Sequence, residues 1–109
     1  LPYNLEIEKR IGEIIASWPY LQKRKMFGGI CYLFKGNMCF GIYKDYLIVR
    51  TGPDLSITLL KEKYVVPFDI TGKAMKGWIM VREQGFSSSV KLSHWLQIGR
   101  EYAASLPPK

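Results

Sequence analysis

The stretch from Lys25 to Thr51, KMFGGICYLFKGNMCFGIYKDYLIVRT, decides the fold. It is dense in β-branched and aromatic residues and is punctuated by short turn dipeptides, the pattern of consecutive antiparallel strands. Gly36-Asn37 and Lys44-Asp45 divide it into three strands. Glycine and asparagine tolerate positive φ, so Gly36-Asn37 suits a two-residue hairpin turn; Lys44-Asp45 is placed mainly by the runs on either side. With both loops two residues long, Phe34 faces Cys39, Leu33 faces Phe40, Tyr32 faces Gly41 and Ile42 faces Leu47. Side chains alternate along a strand, so the faces can be written out. Phe27, Cys31, Leu33, Phe40, Ile42, Leu47 and Val49 form the expected core face. Tyr32, Phe34, Cys39, Tyr43, Tyr46, Ile48 and Arg50 form the other, which is aromatic and amphipathic rather than plainly polar.

Working outward, Ile7, Ile11, Ile14, Ile15 and Trp18 recur at helical spacing, with Glu6, Glu8, Lys9, Arg10 and Glu13 on the remaining surface. Asn4 caps the start of this helix and Pro19 closes it. On the far side, Pro53-Asp54 opens a short helix from Leu55 to about Lys63, with Leu55, Leu59 and Leu60 inward. Val65-Val66-Pro67-Phe68 reads as a brief edge segment, because proline cannot sit in a central strand. Thr71-Gly72-Lys73 is a turn, Gly77–Arg82 a strand, and Ser87–Ser89 supply N-caps for a last helix carrying Leu92, Trp95, Leu96, Gly99, Tyr102 and Leu106. Pro107-Pro108 stops it. The expected fold is α+β in the order α-βββ-α-β(β)-α, an antiparallel sheet of four to five strands with helices on one face, forming a single domain over residues 1–109.

The chain has 109 residues, is 48% hydrophobic, and carries sixteen basic against nine acidic residues, a formal +7. That is core enough for one domain without disulfide or metal staples. The surplus charge favours polyanionic partners electrostatically. It is spread along the chain, with a tight run at Lys23-Arg24-Lys25 and a looser group of Lys73, Lys76 and Arg82. A run this short reads first as a solvated approach to a strand. No apolar stretch is long enough for a membrane helix, and the start lacks the features of a signal peptide, so the expected compartment is the cytoplasm.

Taken together, Lys25-Met-Phe-Gly-Gly29, Gly36-Asn37-Met38, Leu47-Ile-Val-Arg50 with Gly52-Pro53, Thr71-Gly-Lys73 with Met75-Lys-Gly77, and Ser105-Leu-Pro-Pro-Lys109 resemble the TfoX amino-terminal domain family. The motifs fall in the family's order and spacing over nearly the whole chain. The resemblance implies an α+β fold and a bacterial source, and it brings no catalytic residue. In the competence regulators that give the family its name, a second, helical domain follows. Nothing here resembles that domain, so the expectation is a stand-alone member with a binding or regulatory role.

The chemistry-bearing residues point the same way. Cys31 and Cys39 are seven residues apart with one histidine in the chain, His94, which matches no zinc pattern. Under the register above they point to opposite faces, so the expectation is two reduced thiols. His94 has no nucleophile in a recognisable context. An enzymatic reading requires the fold to bring His94, Asp69 and a cysteine into one cleft. Gly72-Lys73-Ala74 leads into a strand rather than a helix, unlike a phosphate loop, and Gly28-Gly29 reads as a strand bend or a place where the first helix crosses close. No catalytic residue, cofactor or metal is therefore expected. The candidate partner-binding residues are Tyr32, Phe34, Tyr43, Tyr46 and Arg50. As a protein interface these suit a partner protein or a second copy of the chain, since Tyr, Phe and Arg are enriched there. As a base-stacking surface they would bind nucleic acid, with Lys23, Arg24, Lys73 and Lys76 on phosphates. Alternatively, Pro67-Phe68 or the chain ends fold over the face. The interface is favoured because no signature of an RNA-binding sheet is present.

Overall fold

The computed structural model describes residues 3–26, 28–70 and 72–109. Three helices and six strands follow the order α-ββββ-α-ββ-α: α1 (Leu5–Ile15), β1 (Leu21–Met26), β2 (Gly29–Phe34), β3 (Asn37–Tyr43), β4 (Tyr46–Arg50), α2 (Pro53–Leu59), β5 (Val65–Pro67), β6 (Trp78–Val81) and α3 (Ser89–Ala104). The strands form one antiparallel sheet ordered β1-β2-β3-β4-β6-β5. The α+β class and the helix order are as expected from sequence. The sheet is wider by β1, whose Gln-Lys-Arg-Lys run shows no apolar alternation because it is an exposed edge.

The caps act as read. The Asn4 side chain accepts from the Glu6 and Ile7 amides at 2.9 and 3.2 Å, and Ser88 Oγ from the Lys91 amide at 3.2 Å. α1 ends at Ile15, four residues before Pro19, and buries Ile7 and Ile11 completely. Burial of each contributes about 1.5–3 kcal/mol. α1 and α3 pack together on one face of the sheet, over a core that includes Phe40, Ile42, Leu47, Val49, Phe86, Leu92 and Leu96. Trp95 Nε1 donates to the Gly85 carbonyl at 2.9 Å, and Arg10 donates to the Phe86 carbonyl at 2.6 Å, pinning residues 83–86 to both helices.

The second hairpin has the expected register, with Ile42 opposite Leu47. The first does not. Its turn is Lys35-Gly36, with φ of +49° and +85°, and Phe34 pairs with Asn37. Two consecutive left-handed residues are what a type I′ turn demands. A bulge then follows: Leu33 pairs with Met38 but Tyr32 pairs with Phe40, leaving Cys39 as the extra residue. Relative to the expected register, β2 is displaced by one residue against Phe40, which moves every side chain to the opposite face. Tyr32, Phe34 and Cys39 therefore lie in the helix-side core, while Cys31 and Leu33 lie on the other side. The expected core position of Phe27 lies outside the described residues, as does Thr71 of the expected turn.

Gly28 (φ +73°) belongs to the turn between β1 and β2, and a Cβ on Gly29 would overlap the Ile42 carbonyl. The close neighbour is thus β3 and not the first helix. α3 makes a similar approach at Gly99, where a Cβ would overlap the Cys39 carbonyl. By contrast, nothing lies within 4 Å of a Cβ built on Gly12, an exposed position of α1. Gly99→Ala should destabilise the fold by about 1–3 kcal/mol through overpacking, whereas Gly12→Ala should stabilise it by about 0.5–1 kcal/mol through helix propensity. Urea denaturation of the two variants checks both signs.

Candidate functional site

The sheet face away from α1 and α3 holds a second apolar cluster. Ile48, Phe68 and Met80 are buried, with Met38, Tyr43, Tyr46, Val66, Ile70 and Trp78 partly buried around them. Phe68 folds over this face and meets Trp78 at 5.5 Å between ring centroids. The covering of the face by the Pro67-Phe68 segment is therefore realised in part.

The five candidate partner-binding residues do not share a surface. Tyr32 and Phe34 are 3% and 7% exposed in the helix-side core. Tyr43 and Tyr46 pair across the second hairpin on the outer face. Arg50 has its guanidinium 5.2 Å from the Trp78 ring and 5.4 Å from the Tyr102 ring, and donates to the Met38 carbonyl at 3.5 Å. The cations are dispersed as well. Lys23 lies on the helix side and pairs with Glu8 at 3.0 Å, and Arg24 pairs in register with Cys31 on the opposite face. Lys73 and Lys76 precede β6, four strand spacings from β1, which is roughly 19 Å.

What the fold does build is a cleft of about 300 Å³ between α2 and the 72–78 segment, lined chiefly by Pro53, Ile57, Leu60, Met75, Lys76 and Trp78. Its walls are tied together by backbone. The Gly77 carbonyl accepts from the Thr51 and Gly52 amides at 2.8 and 3.1 Å, and Met75 N–H donates to the Phe68 carbonyl at 3.1 Å. Gly77 (φ +84°) lies against Gly52 and Pro53 so tightly that a Cβ would come within 3.1 Å of the Gly52 carbonyl carbon. Glycine is required there both for its φ and for the approach. The cleft's apolar residues are left uncovered: Ile57 is 65% exposed, Met75 44% and Leu60 37%.

Sequence reasoning placed Leu55, Leu59 and Leu60 on the inner side of α2. Among these only Leu59 is buried, because α2 has seven residues and only Ser56 and Leu59 reach the interior. The available signal was the excess itself, four apolar residues between 55 and 60 on a helix too short to bury them.

The titratable groups stay apart. His94 lines two shallow clefts beside α3, one with Ile14, Val90 and Gln97 and one with Tyr64, Lys91 and Trp95, and neither includes Asp69 or a cysteine. Among the described residues, no three of His, Cys, Asp and Glu converge as metal ligands, and no helix is long and apolar enough to cross a membrane. Both cysteines are free and buried. Burial pushes the Cys31 thiol up to about 11 and Cys39 up to about 12 from an ordinary 9.0, and Cys39 Sγ donates to the Tyr32 carbonyl at 3.2 Å. Burial likewise raises the Tyr32 phenol, with the Glu8 charge adding to it.

Residues 13–103 match the TfoX N-terminal domain, most of the chain. The chain belongs to the TfoX N-terminal domain family. No curated protein and no solved structure matches it. Within this TfoX N-terminal domain, Ala74, Met75, Lys76 and Trp78, which follow the expected Thr71-Gly72-Lys73 turn, line one side of the cleft.

The thiol environment of the domain carries a prediction. A thiol whose pKa is raised on folding stabilises the native state below its unfolded pKa, and that contribution is lost as pH rises through the folded one. Stability to denaturant should thus decline as pH climbs from 9 through 11 to 12, and the decline should be shallower in Cys39→Ser, whose hydroxyl does not titrate there. At pH 8 a thiol-directed disulfide reagent should leave both native cysteines unmodified and label both in denaturant.

Proposed function

We propose that this domain is a non-enzymatic protein-interaction module that self-associates through the cleft between α2 and the 72–78 segment. The observation that supports it most is the exposed apolar group of Ile57, Leu60 and Met75 around Trp78, held on a backbone frame that is already hydrogen-bonded. Such a preformed apolar surface is a feature of docking sites, and ordering it on contact costs little. The cleft lining carries one acid and one base, Asp54 and Lys76. Across a two-fold axis these charges can face each other reciprocally, as an isologous dimer requires. Trp78 also belongs to the outer-face cluster with Tyr43 and Tyr46, so the contact can extend onto the two tyrosines that remain available.

A base-stacking surface is less well supported, because two of its rings, Tyr32 and Phe34, are in the core and Arg50 already lies over Trp78 and Tyr102. Sedimentation velocity over a concentration series tests the proposal. The wild-type chain should shift reversibly from monomer to dimer at micromolar concentration, and Ile57→Lys should raise the dimer dissociation constant about tenfold or more by placing an uncompensated charge in the contact. A monomer at every concentration would rule out self-association.

A further inference from the structure

β1 stands at one edge of the sheet, and all six of its residues pair with β2 in an unbroken register, Leu21 with Phe34 through Met26 with Gly29. The hydrogen bond from the Lys35 amide to the Tyr20 carbonyl, 3.1 Å, continues that register by one residue and fixes its phase. In an antiparallel ladder, hydrogen-bonded and non-hydrogen-bonded pairs alternate. Tyr20 and Lys35 form a bonded pair, so Gln22, Arg24 and Met26 spend their backbone groups on β2. Leu21, Lys23 and Lys25 turn theirs outward. The edge thus offers three N–H donors and three carbonyl acceptors at strand spacing, on a segment whose side chains from Gln22 to Lys25 are exposed.

The side chains decide what can pair there. Lys23 and Lys25 stand opposite Tyr32 and Ile30 and so share the helix side of the sheet, where Lys23 pairs with Glu8 of α1 at 3.0 Å; Arg24 stands on the other face, and β1 itself contains no acid. A second β1 would bring cations against cations, which cross-strand neighbours disfavour. The charges that keep the edge from pairing with itself also lower the cost of pairing with a strand of opposite sign, and specificity is this difference between the two. Tyr20 adds a ring at the head of the strand, 65% exposed and held by Lys35 at 4.7 Å from its centroid.

We infer that β1 is a docking edge for an extended acidic segment of a partner protein, which joins the sheet as a seventh strand. The mode is strand addition, in which main-chain bonds supply affinity and alternate side chains supply selectivity. This site lies at the opposite side of the sheet from the α2 cleft, and its test is independent of the outcome there.

The probe is a blocked heptapeptide of alternating glutamate and valine, with lysine replacing glutamate in a control, titrated into the 15N-labelled protein. The acidic peptide should slow amide hydrogen exchange at Leu21, Lys23 and Lys25 and leave Gln22 and Arg24, already bonded to β2, nearly unchanged. Affinity should fall about tenfold between low and physiological salt. Lys25→Ala and Lys25→Pro remove the same charge, but only proline removes an outward N–H, which an edge strand tolerates. Lys25→Pro should therefore bind several-fold more weakly than Lys25→Ala, with the remaining amide spectrum unchanged. Equal binding of the two variants, equal binding of the lysine peptide, protection outside β1, or no binding at low salt would each overturn the inference.

Discussion

α3 crosses β3 at Gly99, so close that the carbonyl of Cys39 occupies the space a Cβ would fill. That contact depends on a chain of local events. Lys35 and Gly36 both adopt left-handed backbone, the turn closes one residue earlier than its Gly-Asn dipeptide invites, and the surplus residue is taken up as a bulge at Cys39. The bulge brings Cys39 and Phe40 together into the helix-side core, and Tyr32 and Phe34 with them. Tyr32 and Phe40 then stack at 5.0 Å between ring centroids. Past α3, the tail returns to the same turn: Asn37 Nδ2 donates to the Pro107 carbonyl at 2.9 Å and the Lys109 amide to the Lys35 carbonyl at 3.0 Å. Helix crossing, turn and tail therefore hold one register in place from three directions.

The helices could be read from sequence because their signals are local. Asn4 and the Ile7–Ile11 spacing place α1, and Ser88 with Leu92, Trp95 and Leu96 places α3. The second hairpin was also legible, since any one-residue slip there would move either Phe40 and Ile42 or Leu47 and Val49 out of the core. The first hairpin carried no such discriminator. Cys31, Tyr32, Leu33 and Phe34 are consecutive and all buried, so either face satisfies burial and alternation says nothing about which one meets the helices. Register there depends on the turn and bulge, and Lys35-Gly36 competes with Gly36-Asn37 on nearly equal local terms. β1 was missed for the opposite reason, since a strand exposed along most of its length has no apolar pattern to detect.

The candidate site was legible only in pieces. Tyr43, Tyr46 and Arg50 come from strands whose register was right, and they lie where expected. Tyr32 and Phe34 were lost to the one-residue slip. The α2 cleft could not be drawn from sequence at all, because it forms where Gly77 meets Gly52, and these residues are joined only by tertiary hydrogen bonds from Thr51 and Gly52. What sequence did hold was an anomaly on each side of that contact: more apolar residues on α2 than seven positions can bury, and a glycine-bounded loop carrying Met75.

The two edges of the sheet resolve the same physical problem in different ways. β5 has three residues and ends on Pro67, which has no N–H to donate to a ladder built upon it, so the edge is short and lacks a donor whatever strand approaches. β1 is twice as long, unbroken in register and free of proline, and the protection its own residues carry is the charge of Lys23, Arg24 and Lys25. A missing donor weakens pairing with every strand alike, whereas a charge block discriminates by sign and weakens with ionic strength. The formal +7 of the chain extends the same rule beyond the strand, slowing encounters with basic proteins and speeding those with acidic ones. An edge defended by charge is thus closed to its own copy and open to its complement, and a domain needing only protection from aggregation could have used for β1 the proline that it uses for β5.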